Sequence, residues 1–180
     1  MEMYYDLTFV VDAITDELVD HMYDQGDFDF NISGCDGLTL LSTTIHADDP
    51  VHGALQFAAT LQDHDVNVQR LDHGLANQTV IAKLCGVTRQ AVSLWVNNTD
   101  SDDPFPAPYT LVTDPLWAWG DVNEWLKRTG KSCAEDACYL TPFQIDQFNT
   151  QWAKIDFSLL RLQADQTPDQ LEVQALKIAA

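Results

Sequence analysis

The chain has 180 residues, 46% of them hydrophobic and 21% charged, which excludes wholesale disorder and indicates one or two folded domains. Its formal net charge is −19, from 28 acids against 9 bases, so a basic surface over the whole protein is excluded. Neither an apolar run long enough for a transmembrane helix nor a charged-then-apolar leader is found, so we expect a cytoplasmic protein with no membrane partner.

The first part of the chain predicts a small, acidic α/β domain. Alternating apolar residues, many of them aromatic or β-branched, predict strands at residues 4–11, 27–33, 38–46 and 66–71. Apolar faces at helical spacing predict two helices, one behind the cap Thr15 to about residue 25 and one over residues 50–61. The order βαββαβ is that of the ferredoxin-like fold, and we assign this domain to residues 1–72.

The charges are unevenly distributed along the chain. Residues 1–69 contain 14 acids and no Lys or Arg, whereas residues 70–131 contain six bases and seven acids. Two interpretations of the acidic region remain open. In the first, the acidity is a solubility surface or a trait of a host with an acidic proteome. In the second, it is a surface that binds a basic partner or mimics nucleic acid.

Residues 78–97 have the spacing of a DNA-binding helix-turn-helix. Ala82 is small where a second helix crosses closely, Gly86 supplies the positive φ that ends the first helix, and Val92 faces back into the crossing. The remaining apolar positions at helical spacing are Ile81, Leu84, Cys85, Val87 and Trp95. The alternative is an ordinary helical hairpin with no role in DNA binding.

The second helix of this unit carries the residues predicted to contact DNA. Thr88 is placed to cap it, and Arg89, Gln90 and Ser93 lie near its N-terminus, which enters the major groove in such units. Arginine suits guanine and glutamine suits adenine. The residues predicted to hold the phosphate backbone are Lys83, Thr88, Lys127 and Arg128.

The segment that follows predicts a wing. Residues 109–112 and 116–119 predict the two strands of a hairpin. Asp121 with Glu124 is predicted to form a capping box that starts a short helix. The apolar face of this helix consists of Val122, Trp125 and Leu126. Helix, turn, helix, hairpin and closing helix make a winged helix-turn-helix domain, assigned to residues 75–130.

The stretch from about residue 75 to residue 128 resembles the excisionase-like and AlpA-like winged helix-turn-helix regulators of bacteria and phages, which are related to the MerR DNA-binding head. The matching segments are Gly86–Val92, Trp95, Phe105-Pro106-Ala107-Pro108, Trp117, Asp121-Val122 and Trp125. The resemblance covers under a third of the chain and implies double-stranded DNA binding and transcription regulation. The chain departs from the pattern at its loop acids and at the wing tip, namely Asp100, Asp102, Asp103 and Asp114.

Residues 131–140 predict a linker, and residues 141–180 predict C-terminal helices. Within the predicted helix over residues 142–163, apolar residues recur at alternating spacings of three and four, as in a heptad seam. The seam consists of Ile145, Phe148, Trp152, Ile155, Leu159 and Leu162. It packs either on the rest of the same chain or on a second copy. A homodimer would double a weak basic surface and match a palindromic site.

No catalytic, cofactor or metal site is predicted. Asp27, Asp29 and Asn31 begin like a calcium loop, but the required glycine and the final acid are missing. Cys133 and Cys138 lack the second pair of ligands that a structural zinc needs. Motifs for phosphate-binding loops, serine hydrolases and zinc proteases are absent from the sequence.

We therefore predict an α+β protein that is not an enzyme. Its predicted function is sequence-specific DNA binding, as a bacterial or phage transcriptional regulator. The alternative is an acidic protein-interaction module, which would be antitoxin-like, a DNA mimic or an inhibitor of a basic partner.

Overall fold

The computed structural model describes residues 3–25, 29–35, 37–98, 102–111, 113–131 and 136–155. Within them the chain is mixed α+β, with six helices and two small antiparallel sheets. The strands are β1 (Met3–Val11), β2 (Phe30–Cys35), β3 (Leu38–Ala47), β4 (Val68–Leu71), β5 (Leu75–Ala76), β6 (Thr110–Leu111) and β7 (Pro115–Ala118). The helices are α1 (Asp16–Gln25), α2 (Pro50–Asp63), α3 (Gln78–Leu84), α4 (Arg89–Asn97), α5 (Trp119–Arg128) and α6 (Pro142–Trp152). The described residues up to Asn149 belong to one compact unit, and those from Thr150 onward belong to a second.

The larger sheet has the strand order β2-β3-β1-β4, and β1 pairs with β3 from Met3↔Ala47 to Val11↔Thr39. One face of this sheet is apolar, because alternate residues along each strand point to the same side. Its buried residues include Tyr5, Leu7, Phe9, Leu41 and Ile45. The other face is polar, and there the hydroxyls of Thr8 and Ser42 lie 3.1 Å apart. The predicted alternation, and with it the order of strands and helices in this region, is confirmed.

Two helices pack on the apolar face. Asp49 caps α2 by accepting from the amides of Val51 and His52, at 3.0 and 3.1 Å. The fully buried ring of Phe9 lies between Phe57 of α2 and Phe148 of α6, with ring centroids 5.7 and 5.8 Å away. The core of this region therefore includes a helix from the far end of the chain.

Residues 136–149 bond to strands of the larger sheet, although the sequence predicts a simple linker over residues 131–140. The amide of Cys138 donates to the Tyr4 carbonyl at 3.1 Å, and its carbonyl accepts from the Asp6 amide at 3.0 Å. Asn149 accepts from the Leu71 amide at 2.8 Å and donates to the Leu71 carbonyl at 3.3 Å. Exposed backbone groups of a sheet edge need partners, and this segment supplies them. The boundary predicted at residue 72 therefore leaves out part of the first region.

The predicted length of the last described helix is wrong. Helix α6 ends at Trp152, well before residue 163, and its final turn closes by bonds from Lys154 to Gln151 and from Ile155 to Trp152, both 3.1 Å. These bonds span three residues, as in the tighter turns that end many helices. Heptad spacing identifies the buried face but not where the helix stops.

The structure describes four of the six residues of the predicted apolar seam. Ile145 and Phe148 are buried within the chain that carries them, which agrees with packing on the same protein. Trp152 is also buried, whereas Ile155 is half-buried and lies beyond the helix. Leu159 and Leu162 lie outside the described residues, as does the end of the region assigned to residues 141–180. No helix in the described part of the chain is long and apolar enough to cross a membrane.

Candidate nucleic-acid interface

The turn between α3 and α4 is built by local sequence. The Asn77 side chain caps α3 by accepting from the amides of Thr79 and Val80, both at 3.0 Å. Gly86 has a φ of 62°, and its amide and that of Val87 bond back to the end of α3, at 3.2 and 3.0 Å. This is the Schellman arrangement, in which a left-handed residue, usually glycine, ends the helix. The predicted role of Gly86 is confirmed.

The second helix begins where the sequence predicts. Thr88 caps α4, and its hydroxyl accepts from the Ala91 amide at 3.2 Å. Val92 is fully buried and shares a core with Ile81 and Ala82 of α3. Leu84 departs from the prediction, because its side chain is 49% exposed rather than packed in this core. It is the last residue of α3, and the next residue, Cys85, is buried in the core instead.

A three-stranded sheet and a closing helix complete this region. The predicted hairpin is observed as β6 and β7, and β5 adds a third strand that the sequence analysis does not predict, giving the order β5-β7-β6. Helix α5 begins at Trp119, behind the N-cap position Ala118, so the predicted capping box of Asp121 and Glu124 is wrong. Asp121 lies in the first turn of α5, where burial raises the pKa of its carboxyl.

The loop before the hairpin is held by indole groups. The Trp117 indole donates to the Pro106 carbonyl at 2.9 Å, and the Trp125 indole donates to the Asp103 carbonyl at 3.0 Å. The Phe105 ring packs edge-on against both indoles, with centroids 5.7 and 4.9 Å away. The aromatic residues that carry the family resemblance therefore form the core that positions α4.

Three of the predicted DNA-contacting residues lie together. Arg89, Gln90 and Ser93 line one surface depression of about 350 Å³, which they share with Gln78 of α3. Arg89 and Gln90 are exposed, and Arg89 has no carboxylate within 4.0 Å among the described residues. The Ser93 hydroxyl accepts from the Asn97 side chain at 3.2 Å. The depression is thus lined by one guanidinium, that of Arg89, and by two amide side chains, Gln78 from α3 and Gln90 from α4.

Lys127 and Arg128 are two of the residues predicted to hold phosphates. In the structure both are bonded to other groups of the same protein. Arg128 donates two hydrogen bonds to the Asp103 carboxylate, at 3.1 and 3.0 Å, and these bonds lower the pKa of Asp103. Lys127 donates to the Ala137 carbonyl at 2.9 Å and to Glu124 at 3.1 Å. Lys83 is exposed and has no such carboxylate among the described residues.

Two residues near the interface were missed by sequence reasoning. Gln78 is the first residue of α3 and joins the depression around Arg89. Leu94 is 72% exposed and lies one turn after Gln90, followed by exposed Asn97 one turn later. The spacing of four and three residues marks one face of a helix, so the sequence does contain a signal for this face. An apolar side chain there suits contact with a thymine methyl group.

Two acidic side chains of the same region are exposed to solvent. Asp102 is exposed in the loop after α4, and Asp114 is exposed in the turn of the hairpin, where a phosphate contact would be expected.

Comparison of the chain with protein-family models, with curated proteins and with solved structures gives no match. The resemblance to winged helix-turn-helix regulators therefore remains a prediction that rests on the residues described above.

Proposed function

We propose that this protein binds double-stranded DNA in a sequence-specific manner through α4 and acts as a transcriptional regulator. The observation that carries the proposal is the exposed pair Arg89 and Gln90 at the capped start of α4, with Arg89 unpaired among the described residues. This position enters the major groove in helix-turn-helix proteins, and the two side chains match guanine and adenine.

In this proposal the two regions take named folds. Residues 75–128 act as a winged helix-turn-helix, supported by the order α3, α4, β6, β7, α5 and by the three-stranded sheet. The first region acts as a ferredoxin-like domain, supported by its βαββαβ order and by antiparallel strands in the order β2-β3-β1-β4. That fold serves many functions, so the role of the first region is argued from its residues.

The charges predict a modest affinity. Of the six bases in residues 70–131, Arg70, Lys127 and Arg128 are each bonded to a carboxylate. The Lys131 ammonium lies 5.7 and 5.8 Å from the ring centroids of Trp95 and Trp125. Lys83 and Arg89 remain, so about two phosphates are neutralised per chain, and the logarithm of affinity should fall with that of salt with a slope of about −2.

Genome-wide DNA capture tests the proposal. Purified tagged protein is mixed with sheared DNA from its own source at about 50 and about 150 mM salt, since backbone contacts weaken between these values. Wild-type protein should enrich one or a few sites. Arg89→Ala should weaken binding to them by about tenfold or more, as expected for the loss of a base contact.

Arg70→Ala is the matched control. It removes the same charge from β4, where Arg70 is bonded to Asp72 at 3.1 Å, and it should leave the enriched sites unchanged. Equal enrichment by wild type and Arg89→Ala would overturn the assignment of α4 as the reading helix. A uniform loss with both variants would instead mean that capture depends on total charge.

A second candidate function is binding of a basic protein partner, and α1 favours it. Asp16, Asp20 and Asp24 are exposed and lie four residues apart, so they form one acidic stripe along this helix. Like charges at this spacing destabilise a helix, and a cation on the stripe would relieve the repulsion. Capture of a basic partner that survives Arg89→Ala but fails when all three aspartates are changed to Asn would favour this function.

A further inference from the structure

A partly enclosed cavity of about 160 Å³ lies between β1, the residues that follow β4, the start of α5 and residues 139–145. Its apolar walls are formed by Leu7, Leu71, Trp119, Tyr139, Leu140 and Ile145. These residues come from the first region, from α5 of the helix-turn-helix region and from residues 139–145. The cavity therefore lies where the first region meets the helix-turn-helix region, within one compact unit.

A short length of strand edge opens into this cavity. On this side of β1, the Asp6 amide donates to Cys138 and the Thr8 carbonyl accepts from the Asp72 amide at 2.8 Å. The amide and carbonyl of one strand residue point to the same edge, so the Asp6 carbonyl and the Thr8 amide face the same way. Among the described residues, neither of these two groups has a hydrogen-bond partner. Asp6 and Thr8 are themselves half-buried and line the cavity.

The two groups have the spacing of one rung of a parallel ladder. Cys138 already occupies the preceding rung, because it bonds to the Tyr4 carbonyl and the Asp6 amide in a parallel bridge opposite Tyr5. The chain then leaves the strand, and Leu140 contributes a wall of the cavity instead of the next rung. A ligand that offers one N–H and one C=O would complete the ladder opposite Leu7.

Charge and size narrow the chemistry of that ligand. The lining residues include Asp6 and Asp72 but no Lys or Arg, which disfavours anions. The imidazole of His73 is bonded to Asp146 at 2.9 Å. A dry cavity of about 150 Å³ holds one benzene ring. We propose that this cavity binds a small uncharged amide attached to an apolar ring, with the amide bonded to Asp6 and Thr8.

Benzamide is the probe, and benzoate is its matched control. In a titration of the ¹⁵N-labelled full chain followed by NMR, benzamide should move the Thr8 amide resonance downfield and shift Gly74 and Gly120 with the same dissociation constant. For a ligand of this size that constant should be about 1 mM. Benzoate has the same ring and a negative charge, and it should leave Thr8 unmoved.

Two variants test the location of the site. Ile145→Phe adds a ring to the cavity wall and should abolish the benzamide shifts, whereas Gln147→Phe adds the same ring at an exposed position of α6 and should retain them. If Ile145→Phe fails to fold, the comparison of benzamide with benzoate still decides the proposal. An unmoved Thr8 amide at about tenfold that concentration, or equal shifts with both ligands, would overturn it. The titration contains no DNA, so its outcome is independent of the proposed DNA binding.

Discussion

The first sheet region and the helix-turn-helix region use their acidic side chains differently. In the first region Asp12 accepts hydrogen bonds from the amide groups of Asn67 and Gln69, at 2.7 and 2.6 Å, and these bonds lower its pKa. Asp6 accepts from the Thr44 hydroxyl at 2.6 Å. In the helix-turn-helix region, Asp103 and Glu124 are instead bonded to Arg128 and Lys127.

Composition is the reason for this difference. The first 69 residues contain no Lys or Arg, and the carboxylates of Asp6 and Asp12 are bonded to neutral donors. Residues 70–131 contain seven acids and six bases, and three of these bases are bonded to carboxylates. A concentration of bases around a DNA-binding motif therefore overstates the charge that is free to meet phosphate. Salt should also act differently on the two regions, because ion pairs are screened more than bonds to neutral donors.

The largest expected effect tests whether the two regions unfold together. Phe9→Ala removes a fully buried ring from the first region and should lower the free energy of unfolding by about 3–5 kcal/mol. Four of the five tryptophans lie between residues 95 and 125, and the fifth is Trp152. Tryptophan fluorescence therefore reports mainly on the helix-turn-helix region. If the regions unfold as one unit, fluorescence and far-UV circular dichroism should show the same lowered midpoint in urea.

The control is Phe143→Ala, which removes a side chain that is 77% exposed and should change stability by no more than about 0.5 kcal/mol. A fluorescence midpoint that stays at the wild-type value while the dichroism midpoint falls would show two independent regions. The contacts made by residues 136–149 would then contribute little to cooperativity.

A smaller effect is expected from releasing Arg128. Asp103→Asn removes the carboxylate that holds the guanidinium, so Arg128 becomes available to a phosphate. If the protein binds DNA as proposed, its logarithmic salt slope should become steeper by about 1, measured by fluorescence anisotropy with a captured site. Glu124→Gln is the comparison, because Lys127 keeps its bond to the Ala137 carbonyl. An unchanged slope for Asp103→Asn would place Arg128 away from DNA.

The smallest effects concern two aspartates whose pKa values shift in opposite directions. Burial raises the pKa of Asp121 above 3.8, so ionisation costs stability as the pH rises through the folded-state value. Asp121→Asn should therefore stabilise the protein at pH 7. The pKa of Asp12 is lowered, so its contribution is present above 3.8 and is lost as the pH falls through the folded-state value.

Asp12→Asn should accordingly destabilise the protein at pH 7, by no more than about 0.5 kcal/mol in magnitude, as for most surface substitutions. Thermal unfolding at pH 7 and at pH 3 should show that the difference in stability between each variant and the wild type is smaller at pH 3. The same sign for the two variants at pH 7 would contradict this account of their surroundings.

Local patterns predicted much of this structure. The positive φ of Gly86, the cap Thr88 and the buried Val92 follow from spacings within one turn, as do the strands that alternate apolar and polar residues. The bond from Arg128 to Asp103 joins residues 25 positions apart, and the one from Leu71 to Asn149 joins residues 78 apart. Sequence periodicity carries no signal for such pairs. For this reason Lys127 and Arg128 were predicted to be free for phosphate, and the contacts of Cys138 in the predicted linker over residues 131–140 were not foreseen.

The hydrogen bonds from Asn149 to Leu71 have a consequence for protein synthesis. At about 5–20 residues per second, the 78 residues between them take roughly 4–16 s to make. During that time the nascent sheet keeps the edge at Leu71 unpaired, and Phe9 lacks the ring of Phe148. The helix-turn-helix region therefore leaves the ribosome before the first region can be completed. Until α6 emerges, the nascent chain carries an acidic sheet whose edge at Leu71 is unpaired.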